Sequence, residues 1–149
     1  MNYELVQIIT GTVGAFAFGI LFNLKGKRLA AAAAGGLLCC VGFIVLSQFI
    51  ESEPINYLLV SMIVSVYAEA MARIIKTPAT PLITTSLIPL IPGGSLYYTV
   101  ASAFDTSFGI FSERAFYTLK LATALALGMI LVLAATRLLT AHSTAKKQD

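Results

Sequence analysis

Residues 77–94 read TPATPLITTSLIPLIPGG. Four of the chain's five prolines, Pro78, Pro81, Pro89 and Pro92, fall in this stretch, and no charged residue does. An interior proline deletes a backbone donor and clashes with the preceding turn, so no regular helix is expected across it. Yet the stretch is apolar enough to enter a bilayer. Broken backbone survives at membrane depth only when it is buried in protein or lines a wet cavity. Discontinuous helices of this kind build substrate sites in transporters, where freed carbonyls and helix N-termini meet the ligand. A loop resting at the membrane interface is the plainer alternative. Gly93 and Gly94 then release the chain into a short helix over residues 95–103, with Asp105 just beyond.

The rest of the chain supports a membrane setting. Of its 149 residues only 11% are charged, less than half of the roughly 25% usual in soluble domains. A water-facing surface cannot be built from so little, and disorder, which needs low hydrophobicity, is excluded too. Residues 5–24, 29–50, 77–104 and 121–136 contain no Asp, Glu, Lys or Arg. Such runs match the ~30 Å hydrocarbon core of a bilayer. The chain therefore reads as an all-α polytopic membrane protein, residues 1–149 forming a single transmembrane domain with a polar cytoplasmic tail over 140–149. About five transmembrane crossings are expected, the fourth a Pro/Gly-broken helix.

The basic residues set the orientation. With Lys25, Lys27, Arg28, Arg73, Lys76, Arg137, Lys146 and Lys147 cytoplasmic, Arg114 is the only basic residue left in an external connection. The positive-inside rule prefers this arrangement, with the N-terminus outside and the C-terminus inside a cell membrane. It requires residues 77–112 to cross once; a re-entrant path would put one terminal basic cluster on the wrong side. Basic residues placed between apolar segments also argue against nucleic acid as a partner. Met1 to Glu4 lacks the basic start of a cleavable signal peptide.

Catalytic apparatus is not visible. Cys39 and Cys40 are adjacent, with no second pair for a disulfide framework or metal cluster. The one histidine, His142, lies in the tail without a nucleophile to serve. No enzyme activity, metal or cofactor is expected.

Individual segments carry further signals. In the first, residues 5–23, Gly11, Ala15 and Gly19 recur at steps of four, a spacing that lets membrane helices pack closely. The second, 29–50, is again rich in Gly and Ala. In the third, 55–75, Tyr57, Ser61, Ser65, Glu69 and Arg73 form one row along a helix face. Glu69 and Arg73 can neutralise each other near a membrane boundary, or handle protons or substrate. The last segment, 113–139, holds Lys120 almost two turns inside, where its ammonium can snorkel to the interface.

Three stretches together carry a resemblance: residues 18–23 (FGILFN), 73–80 (RIIKTPAT) and 88–97 (IPLIPGGSLY). In this order they resemble the threonine/serine exporter family, and more narrowly its small YjjB-like subunit, equivalent to the C-terminal half of fused exporters. The resemblance covers nearly the whole chain. It implies proton-driven export of a small hydroxy amino acid, or of a dicarboxylate such as succinate, with a larger partner subunit supplying the other half. Site residues do not come with the resemblance and rest on physical reading.

A zwitterionic substrate needs donors for its carboxylate and acceptors for its ammonium group. Gly93 and Gly94 are expected to present an open helix N-terminus, which suits an anion. Thr80, Thr84, Thr85 and Ser86 offer hydroxyls, and carbonyls freed ahead of Pro89 and Pro92 offer acceptors. Glu69 and Asp105, the carboxylates nearest membrane depth, are the candidates for proton coupling. A partner is expected to close the open side of the cavity, docking partly on the Gly11–Ala15–Gly19 face. The alternative is a structural or assembly subunit that scaffolds a larger transporter without binding substrate. Polar groups at membrane depth favour the transporter, because a scaffold gains nothing from their cost.

Overall fold

A computed structural model describes residues 3–105 and 108–145, with the side chains of residues 105 and 140–145 outside the described set. Its helices are α1 (Tyr3–Leu21), α2 (Lys27–Ser47), α3 (Glu53–Ile75), α4 (Ala79–Leu87), α5 (Gly93–Asp105) and α6 (Phe108–Ala145), with a 3-10 turn over Ile88–Leu90. Four of them, α1, α2, α3 and α6, are long and apolar enough to cross a membrane. The pair formed by α4 with its 3-10 turn and α5 adds a fifth crossing if read as one span, bent by 62° at its break. The chain is an all-α polytopic membrane protein.

Short, specific caps produce these helices. Asn23 takes a left-handed conformation (φ 58°) after α1, and the Leu24 N–H returns to the Gly19 carbonyl at 2.9 Å. Asparagine tolerates that conformation better than most residues, and buried Leu24 then pins the turn. Lys76 ends α3 in the same way (φ 56°), with the Thr77 N–H on the Ala72 carbonyl at 2.9 Å. Glu53 sits in the first turn of α3 and Arg73 in its last, each favourable to the helix dipole.

The proline-rich stretch is more regular than its composition predicts. Ala79–Leu87 is a nine-residue α-helix, because Pro81 falls in the first turn, where a backbone N–H has no intrahelical acceptor anyway. The break comes only at Pro89, inside the 3-10 turn, and at Pro92 before α5.

Glycines set the closest approaches. A methyl group built on Gly36 of α2 would lie 2.3 Å from the Ala15 Cβ of α1. On Gly35 it would lie 2.0 Å from the Ser86 Oγ of α4, and on Gly128 of α6 it would lie 1.9 Å from the Ser61 Oγ of α3. Helix α4 is thereby held among α1, α2 and α3, burying Leu82, Ile83, Thr85, Ser86 and Leu87. Helix α5 packs chiefly on α6.

The Gly11–Ala15–Gly19 row faces inward, and this changes one expectation. A Cβ on Gly11 would meet the Cys40 Sγ at 2.3 Å and Pro89 at 3.3 Å, and one on Gly19 would meet Leu29 at 2.7 Å. The row is occupied by α2 and the 3-10 turn of the same chain, which leaves it no open face. Gly11→Leu with Gly19→Leu is accordingly expected to destabilise the isolated chain by about 1–3 kcal/mol per site through overpacking. Thermal unfolding in detergent without any partner checks this; an unchanged midpoint would contradict it.

Alternating helix directions bring the turns holding Lys25, Lys27 and Arg28, and Arg73 and Lys76, to one end of the bundle. Helix α6 runs parallel to α3, since Tyr117 meets Glu53 and Gly128 meets Ser61 further along both helices. Arg137 therefore joins the basic end, while Glu51, Glu53 and Glu113 lie toward the other.

Candidate functional site at the broken span

Two cavities flank the break in the fourth span. The smaller, about 180 Å³, lies where α1, α2, α3 and the 3-10 turn meet, with Gln7, Thr10, Gly11, Cys40, Tyr57 and Pro89 on its walls. It is well below the ~300 Å³ at which drug-sized pockets begin, so it suits a solute of few heavy atoms. The larger, about 870 Å³, is an open groove between α5 and α6.

Pro89 brings no N–H to the carbonyl of Thr85, one turn earlier. Pro92 likewise leaves the Ile88 carbonyl without its usual donor, but the Ile91 N–H takes it up at 3.1 Å. At the start of α5 the Gly93 N–H donates to the Ile91 carbonyl at 2.7 Å and the Leu96 N–H to the Pro92 carbonyl at 2.9 Å. A methyl group on Gly93 or Gly94 would meet nothing within 4 Å. That helix end stands open, as an anion-accepting terminus requires.

The hydroxyls do not converge. Thr80 and Thr84 are exposed on the outer face of α4, whereas Thr85 and Ser86 are buried on its inner face. Thr84 donates to the Thr80 carbonyl at 2.9 Å, Thr85 to the Pro81 carbonyl at 2.8 Å and Ser86 to the Ala32 carbonyl at 3.5 Å. Such backbone pairing satisfies a hydroxyl that would otherwise be costly in an apolar setting. Of the eight residues singled out around the break, Pro89 lines the small cavity, and Pro92, Gly93 and Gly94 form the bend beside the large one.

Glu69 is mostly covered, its side chain 17% exposed, and pairs with the more exposed Arg73 at 3.8 Å. It lies toward the basic end of α3. Asp105 closes α5 toward the opposite end, and its side chain is outside the described residues.

Contacts between distant segments were beyond the reach of local pattern. The Tyr117 hydroxyl donates to the Glu53 carboxylate, tying α6 to the first turn of α3. The Thr99 and Thr118 hydroxyls meet at 2.9 Å, and the Arg114 guanidinium donates to the Tyr98 carbonyl at 3.2 Å, both joining α5 to α6. Gln7, Thr10 and Cys40 on the small cavity also carry no local signal that they share a wall with Pro89.

A family model described as Threonine/Serine exporter, ThrE, matches residues 7–135. The chain belongs to the threonine/serine exporter family. Its match extends from within α1 to near the basic end of α6, so it takes in both cavities and the broken span. No curated protein and no solved structure matches the chain. Membership of the threonine/serine exporter family indicates a multi-pass membrane protein with an exporter-type transport role.

Proposed function

We propose that this chain is the small subunit of a proton-driven exporter in the cell membrane, moving threonine/serine-type amino acids or a dicarboxylate such as succinate. The observation that carries this reading is the kinked fourth span, with a cavity of about 180 Å³ against Pro89 and an open helix start at Gly93. Kinked spans expose backbone donors and acceptors to a solute, which a continuous membrane helix cannot do. Helix α5 leaves the bundle to pack chiefly on α6, so a larger subunit supplies the missing wall. Because the small-residue face of α1 is already filled, that subunit docks elsewhere. The basic residues gathered at one end support an external N-terminus and a cytoplasmic C-terminus.

Reconstitution tests it. Liposomes holding this chain and its larger subunit should accumulate labelled threonine or succinate under an imposed proton gradient, and the chain alone should not. Glu69→Gln and Asp105→Asn are the coupling variants; at least one should abolish the response to the gradient while both subunits still copurify. Gradient dependence unchanged in both would remove these carboxylates from the mechanism. A scaffold that touches no substrate is the second reading, favoured by the hydroxyls of Thr84, Thr85 and Ser86 all being engaged by backbone carbonyls. Transport by the larger subunit alone at the full rate would decide for the scaffold.

A further inference from the structure

The groove of about 870 Å³ between α5 and α6 is not needed by the transport reading, and its chemistry is distinct. Arg114 and Lys120 both line it, together with Ser95, Tyr98, Glu113 and Phe116. Six residues apart on one helix, the two cations are separated by about 9 Å along the axis and about 120° around it, and both reach the groove. Among the described residues neither has a carboxylate within 4.0 Å, the one such ion pair being Arg73 with Glu69. Arg114 donates to the Tyr98 carbonyl, and its planar fork has further donors to offer. Tyr117, which also lines the groove, has its hydroxyl engaged by Glu53.

We propose that this groove holds the phosphodiester of an anionic phospholipid. Charge is the first reason. Among the described lining residues two cations, Arg114 and Lys120, stand against one carboxylate, Glu113, while Glu53 at the edge is held by the Tyr117 hydroxyl, so the cations are the groups left to meet a phosphodiester. Size is the second. The groove is several times larger than the cavity at Pro89, too roomy for a few-atom solute and wide enough for a headgroup with the start of its chains. The walls are the third. Phe116 and Tyr98 are 65% and 60% exposed, and Ile110 lies beside them. They offer acyl chains an apolar bed next to the cations.

Position is the fourth reason. The groove opens level with the first turn of α3, where Tyr117 meets Glu53, and this is a boundary of the membrane-spanning bundle. Tyrosines concentrate at such boundaries, where a headgroup and the start of its chains meet the protein together.

Native mass spectrometry of the full chain, released from micelles doped with phosphatidylglycerol or phosphatidylcholine of equal chain length, reads the binding directly. The wild type should retain phosphatidylglycerol at least about tenfold more tightly than phosphatidylcholine, since charge-assisted contacts are the strong ones. Arg114→Gln with Lys120→Gln should erase the preference, and Lys120→Gln alone, which leaves the Arg114–Tyr98 hydrogen bond in place, should weaken it with the unfolding midpoint in lipid-free detergent unchanged. Glu113→Gln, which removes the repelling carboxylate, should strengthen retention, a gain that misfolding cannot imitate. Equal affinity of the wild type for both lipids overturns the proposal. So does undiminished retention by the double variant, or displacement of the lipid by millimolar inorganic phosphate, which would reveal a site for free anions.

Discussion

Replacing Gly128 by alanine is expected to cost about 3 kcal/mol of stability, the upper end of overpacking effects, and leucine is expected to prevent α6 from docking. The added Cβ would lie 1.9 Å from the Ser61 Oγ and 2.6 Å from the Leu58 carbonyl oxygen. A hydroxyl can rotate, but a helix carbonyl cannot move without carrying α3 with it. Ser61→Ala is therefore expected not to rescue Gly128→Ala. Gly35 makes a matched contrast. There the two nearest atoms, at 2.0 and 2.6 Å, both belong to the side chain of Ser86, and Tyr67 follows at 3.2 Å. Ser86→Gly should restore most of what Gly35→Ala loses. Gly14→Leu, with nothing within 4 Å of the new Cβ, is the neutral control. Thermal unfolding of purified protein in detergent reads all of these, and rescue of Gly128→Ala by Ser61→Ala would show the α3–α6 crossing to be misread.

Straightening the fourth span is expected to separate stability from activity. Pro89→Ala with Pro92→Ala returns two backbone donors at positions where a continuous helix would lose about 3 kcal/mol to each proline relative to alanine. The double variant should melt at a higher temperature than the wild type. Its transport with the larger subunit should fall at least about tenfold, because α5 would swing into line with α4 and the open start of α5 would be lost to a continuous helix. Higher stability with undiminished transport would mean that the 62° bend has no part in solute handling. Lower stability would mean that surrounding helices, not the prolines, impose the bend.

Much of the architecture was legible because membrane helices announce themselves by length and lack of charge, as residues 5–24 and 29–50 do. The location of the break was legible too, since Pro89, Pro92 and the two glycines leave a helix little choice. Proline counting overshot at Pro81, where position within the first turn, and not residue type, decides the outcome. The candidate site was legible only in part. Pattern reading can place Thr84 and Thr85 near a break, but not on opposite faces of a helix whose inner side is chosen by Gly35. Nor does spacing reveal Glu53 beside Tyr117, 64 residues later. The small-residue row of α1 shows the same limit: it marks a close contact without naming the partner, which is α2.

Helix α4 also constrains how the protein is made. At nine residues, it is about half the length a bilayer-spanning helix needs. On leaving the ribosome it cannot partition into lipid by itself, because its ends expose backbone groups that hydrocarbon does not satisfy. Its entry waits on a cradle of α1, α2 and α3 already standing in the bilayer, with Gly35 turned to receive Ser86. The chain's own packing thus sets an order, with α4 settling only after the three helices that receive it.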